Sequence, residues 1–120
     1  MRSLIITLIL FTAIITAIGF NSHFIRKSAD TMIFYTSEEE YKKAPKDALE
    51  RLESFWDKNK LFLEFSVGYK EIDKMSELIL ELRNYTDAGK ELEAMRVCSL
   101  ISNSASNIAR LERLSIENLL

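Results

Sequence analysis

Between Arg2 and His23 the chain carries no charged side chain, and Leu4 to Phe20 is a run of Leu, Ile, Phe, Ala and Thr with Gly19 near its end. At about 1.5 Å of rise per residue this uncharged stretch makes roughly 30 Å of helix, the thickness of a bilayer's hydrocarbon core. Only a helix pairs every backbone amide internally in lipid. The pattern therefore predicts a transmembrane anchor over residues 1–22, with the membrane as partner through Leu4 to Phe20. A cleaved secretory signal competes with it, because Arg2 is basic and Ala17-Ile18-Gly19 places small residues where a peptidase cuts; the apolar core, however, exceeds the roughly 7 to 15 residues of a usual signal. Arg2 and the terminal amine nearly balance Arg26 and Lys27 beyond the span, so charge alone does not orient it. The likeness to an export signal favours residues 23–120 outside the cytoplasm.

Past the span the apolar positions recur every three or four residues, which is the helical period. Residues 23–37 read as a membrane-proximal helix and connector, and 38–120 as a helical bundle domain. Ser37 followed by Glu40 spells a capping box, and Glu38, Glu39 and Glu40 suit the positive end of a helix dipole. A second helix follows to about Asp57, with Pro45 either kinking it or opening a new first turn; Leu49, Leu52, Phe55 and Trp56 share its apolar face. A break is expected at Asp57 to Lys60, although one long bent helix fits the same register. A third helix over 61–85 carries Phe62, Phe65, Tyr69, Ile72, Met75, Ile79 and Leu82 as a seam, with Gly68 marking a bend or a close crossing. Asn84 to Gly89 reads as a turn capped by Thr86 or Asp87, and a fourth helix from Lys90 to about Asn118 buries Val97, Ile101, Ala105, Ile108, Leu111 and Leu114. The fold class is all-α: an N-terminal transmembrane helix followed by an antiparallel bundle of three or four helices. Its expected core is Trp56, Phe62, Phe65, Ile72, Met75, Ile79, Ile101, Ile108 and Leu111.

Composition narrows the chemistry. Three Gly and one Pro in 120 residues leave little turn material for a sheet or a glycine-rich phosphate loop. A net charge of -2 with both signs interspersed lacks the concentrated basic face that nucleic acid demands. The single cysteine, Cys98, forbids an internal disulfide and reads as a small packing residue. His23 is the only histidine and stands at the membrane exit, so a nucleophile and base pair finds no base within the bundle. Di-metal bundles need Glu-x-x-His repeats, which are missing, and Glu64, Glu71 and Asp73, the acids weighed as inward-facing, lie off the apolar seam. The sequence therefore points to no catalytic residue, no cofactor and no metal. One face of the fourth helix is unusual: Ser99, Ser102, Asn103, Ser106 and Asn107 are small, polar and uncharged where a solvated face normally carries Lys and Glu. Two readings stand for it, close helix packing or a strip that receives a partner.

From Trp56 onward the order of motifs is informative. Trp56, then Glu71-Ile72-Asp73 opening a long amphipathic helix, then an Asp87-capped helix closing on Ser115-Ile116-Glu117-Asn118-Leu119-Leu120 resembles a bacterial family of short, singly anchored proteins catalogued as domain of unknown function 4363. That family carries a histidine just ahead of the Glu-Ile-Asp, where this chain has Tyr69 nearby. The resemblance implies a membrane anchor and a helical fold and supplies no reaction. The expected function is a non-catalytic interaction or accessory module outside the cytoplasm with a membrane-protein partner. The alternatives are a small-ligand sensor bundle or a secreted helical protein after signal cleavage.

Overall fold

The computed structural model describes residues 1–119; Leu120 and the side chains of Ser115, Ile116 and Leu119, part of the terminal run named above, lie outside the described residues. Five helices follow in order: α1 Arg2–Tyr35, α2 Glu38–Lys43, α3 Pro45–Val67, α4 Tyr69–Asp87 and α5 Glu91–Leu119. No strand occurs among the described residues.

Each boundary has a local cause. No proline interrupts residues 2–35, so α1 runs unbroken from the apolar stretch into the polar domain. It ends where the Thr36 amide and hydroxyl both donate to the Met32 carbonyl, at 3.1 and 2.8 Å. Ser37 then caps α2 by accepting from the Glu40 amide at 3.4 Å, which is half of the expected capping box. The other half does not form, because the Ser37 amide donates to the Phe34 carbonyl at 3.2 Å. Pro45 opens α3 at its first turn, where its missing N–H costs nothing. Helix α3 runs straight through Asp57 to Lys60, the expected break, and stops at Gly68. Gly68 has φ 102° and ψ 155°, a region open essentially to glycine alone, so the bend foreseen at this residue is in fact the α3–α4 junction. Helix α4 continues through Asn84, Tyr85 and Thr86, the residues expected in a turn. Gly89 at φ 70° closes it, with the Lys90 amide returning to the Tyr85 carbonyl at 2.9 Å and the Gly89 amide to Thr86 at 3.2 Å, the paired bonds of a Schellman ending.

The second half of α1 with α3, α4 and α5 makes an antiparallel four-helix bundle, packed in the cyclic order α1, α3, α4, α5, within a molecule 67 × 23 × 23 Å. Short connections enforce the alternation of direction. The core is a seam from each helix: Ile25, Ala29 and Met32; Leu49, Leu52, Trp56 and Leu63; Ile72, Met75, Ile79 and Leu82; Ala94, Val97, Cys98, Ile101, Ala105 and Ile108. Residues 23–37 thus furnish one wall of the bundle as well as the link to the apolar segment. Polar bonds fix the register between helices. The Trp56 indole donates to Ser76 Oγ at 2.9 Å, the Arg83 guanidinium donates two bonds to the Glu53 carboxylate, and Tyr41 pairs its hydroxyl with that of Thr86 at 2.8 Å.

Six of the nine expected core residues are buried, and Phe62, Phe65 and Leu111 are not. On α3 the seam runs 49, 52, 56, 59, 63, 66, and its unbroken continuation through 57–60 selects Leu63. The expected seam through Phe62 and Phe65 lies one position off this row and faces outward. On α5 the interior row passes from Ile108 to Glu112, leaving Leu111 and Leu114 on the outer side.

Candidate functional site

The polar strip proves to be the outward face of α5. Ser99, Asn103, Ser106 and Asn107 are exposed and Ser102 is half-buried, opposite the row of Cys98, Ile101, Ala105 and Ile108 that enters the core. Close helix packing is the lesser of the two sequence readings for these residues: four of the five are exposed, Ser102 is half-buried, and Ser99 borders α2 beside Glu38 and Lys42. Helix α5 packs against α4 on one flank and α1 on the other, and the face left outward lacks the usual charges over two turns. Leu100, Leu111 and Leu114 are exposed on the same helix, so the strip is a neutral surface flanked by leucines. On α5 itself the strip is bounded by Arg96, which reaches Glu81 of α4 at 3.9 Å, and by Arg110 at the other end.

Beside this face, α5 and α1 border an open groove of about 370 Å³ lined by Ser22, Arg26 and Asp30 on α1 and Ala109, Arg113 and Glu117 on α5. Each wall supplies one cation and one anion. No ion pair closes across the groove among the described residues.

The titratable groups inside the bundle are few. Cys98 is 1% exposed, and burial pushes its thiol up to about 12, so it stays protonated and inert at neutral pH, as a packing residue should. The inward-facing acid is Glu112 and not Glu64, Glu71 or Asp73, the acids the sequence offered; Glu64 and Asp73 are exposed and Glu71 is half-buried. The signal for Glu112 was present in the α5 row 94, 98, 101, 105, 108, whose next member is 112. Glu112 retains 9% exposure, and loss of hydration raises its carboxyl above the usual carboxylate range. Ser104 is buried, and its hydroxyl has no hydrogen-bond partner among the described residues. His23 is exposed on α1. Among the described residues no three His, Cys, Asp or Glu side chains converge as a metal site requires.

Comparison with known proteins places this architecture. The family model for a domain of unknown function, DUF4363, matches residues 18–119, which is most of the chain and the whole bundle. The chain belongs to the DUF4363 family. Neither the curated proteins nor the solved structures offer a match. In this DUF4363 chain the matched region begins inside the apolar part of α1 and takes in all four bundle helices, including the α5 face and the groove. The apolar half of α1 lies largely ahead of it.

Proposed function

We propose that this DUF4363 protein is a singly anchored, non-catalytic interaction module, with Leu4 to Phe20 crossing the membrane, the bundle outside the cytoplasm, and the uncharged face of α5 receiving a membrane-protein partner. The observation that carries the reading is α1 itself. Its most apolar window has a mean hydropathy of 2.5 and none of it is buried within the chain, yet the same unbroken helix supplies Ile25, Ala29 and Met32 to the core. An apolar surface of that size finds its cover in lipid, and a continuous helix would hold the bundle rigidly against the bilayer. The α5 face supports the interaction half of the reading, since exposed serine and asparagine without charge leave little to desolvate when another helix docks.

Topology is tested with a tag at the end of α5. Protease added to intact cells removes the tag if the bundle lies outside, and a 21–120 fragment released into the medium instead identifies a secreted protein. The docking face is tested by Ser99→Lys with Ser106→Lys. Both positions are exposed, so the helical melt should move by no more than about 0.5 kcal/mol while a co-purifying membrane partner is lost. The groove favours a second reading, a sensor of small charged solutes, through its two arginines and two carboxylates. A thermal shift on adding a zwitterionic amino acid, abolished by Arg26→Ala and Arg113→Ala, would select it.

A further inference from the structure

Outside the apolar half of α1, three of the four large exposed aromatic side chains and one leucine gather at one end of the bundle, with Phe34 at the other. Leu61, Phe62, Phe65 and Tyr69 flank the α3–α4 junction at Gly68, and Phe65 is 96% exposed. Their position along α1 is fixed by two contacts. Ser66 Oγ donates to Asn21 Oδ1 at 2.8 Å, and the Phe62 ring meets Phe24 edge-on with centroids 5.0 Å apart. The junction therefore lies level with Asn21 to Phe24, immediately after the apolar segment ends at Phe20.

We infer that the α3–α4 junction is an interfacial wedge, with Leu61, Phe65 and Tyr69 seated in the lipid headgroup layer beside the point where α1 leaves the membrane. The inference rests on the anchor reading above and adds a second, lateral attachment to it. Four residues of helix separate Phe20 from Phe24, about 6 Å, and the headgroup layer on each side of the hydrocarbon core is about 5 to 8 Å deep. The rings at this end thus fall within that layer when α1 stands along the membrane normal. Aromatic side chains favour this layer because it accepts an apolar ring and hydrates its edge. The charged neighbours Lys60, Glu64 and Lys70 are exposed, and their long stems allow the heads to remain in water while the rings enter lipid. Leu61 and Phe65, four residues apart on α3, share the face turned away from the Leu63 seam, so no helix of the bundle is available to cover them. The wedge would hold α3 and α1 to the same bilayer and stop the bundle from swinging about a single helix.

The test uses the full chain with Cys98→Ala and one introduced cysteine, Phe65→Cys, Leu92→Cys or Ile9→Cys, each carrying an environment-sensitive fluorophore, in discs of phosphatidylcholine with a minority of phosphatidylglycerol. The label at position 65 should be quenched by lipids with a nitroxide headgroup and be several-fold less open to iodide than the label at position 92, at the far end of the bundle. Equal iodide access at 65 and 92, with the label at 9 still shielded and quenched by acyl-chain nitroxide, overturns the wedge and leaves the anchor standing. Shielding at 65 without nitroxide quenching, rising with the number of chains per disc, overturns it in favour of a second copy of this chain. Iodide access at position 9 removes the anchor and the wedge together.

Discussion

Leu63 and Phe65 stand two residues apart and have opposite surroundings, so truncating each to alanine gives a sharp test of the α3 register. Leu63 is fully buried and Phe65 is 96% exposed. Leu63→Ala removes three carbons, worth about 2.4 kcal/mol at roughly 0.8 kcal/mol for each buried methylene. The cavity left among packed helices raises the total to about 3 to 5 kcal/mol. Phe65→Ala touches no bundle core and should change bundle stability by no more than about 0.5 kcal/mol. Cys98 supplies the assay, since its buried thiol is closed to alkylation until the bundle opens. Full-length chain in detergent is pulsed with N-ethylmaleimide across a urea series, and the midpoint of modification reports stability. The Leu63→Ala midpoint should fall well below that of the parent, with Phe65→Ala close to it. Equal losses, or a larger loss for Phe65→Ala, would refute the register and restore the expected seam through Phe62 and Phe65.

Four further outcomes follow from particular groups. Glu112 binds its proton more tightly folded than unfolded, so raising the pH from its ordinary value of 4.5 withdraws stability until the folded carboxyl ionises; Glu112→Gln should remove that slope and melt higher than the parent at pH 7, and a lower melt would show that the carboxylate is favourably bound. Cys98 keeps its proton to about pH 12 in the bundle, against 9.0 when unfolded, so above pH 9 the parent should lose about 1.4 kcal/mol per pH unit relative to Cys98→Ala in urea midpoints; parallel curves would refute its burial. Ser76→Ala strips the buried Trp56 indole of its acceptor at 2.9 Å and should cost about 1 to 3 kcal/mol in a urea melt, a neutral result meaning that water replaces the hydroxyl. Gly68→Ala meets no neighbouring atom but forces an L residue to φ 102°, so a loss of about 1 to 3 kcal/mol is expected by the same melt, and none if the junction can relax.

The sequence alone determined the class of this molecule, because helical periodicity and an uninterrupted apolar run are local properties. The apolar half of α1, the cap at Ser37 and the rows through Ile72, Met75, Ile79, Ile101 and Ile108 were legible in the sequence, whereas Pro45 fitted a kink as well as the first turn of α3 that it opens. What spacing could not decide was phase. Aromatic side chains at 62 and 65 fit a three-and-four pattern as well as Leu63 does, and only the partner helices select the face that turns inward. Continuity of α3 across Asp57 to Lys60 carried the seam onto Leu63, and the Asn21 and Phe24 contacts of α1 set Phe62 and Phe65 at the end of the bundle next to the apolar half of α1 instead of in the core. The same cause governs α5: the strip at Ser99 to Asn107 was visible as a composition, whereas its exposure depends on α1 and α4 occupying the other flanks, and Glu112 entered the interior because the helix continues its row whatever residue comes next. Turn boundaries were also decided in three dimensions. Thr86, a good cap by type, stays inside α4 because Tyr41 of α2 reaches it, and Gly89, which alone can take the left-handed ending, closes the helix three residues later.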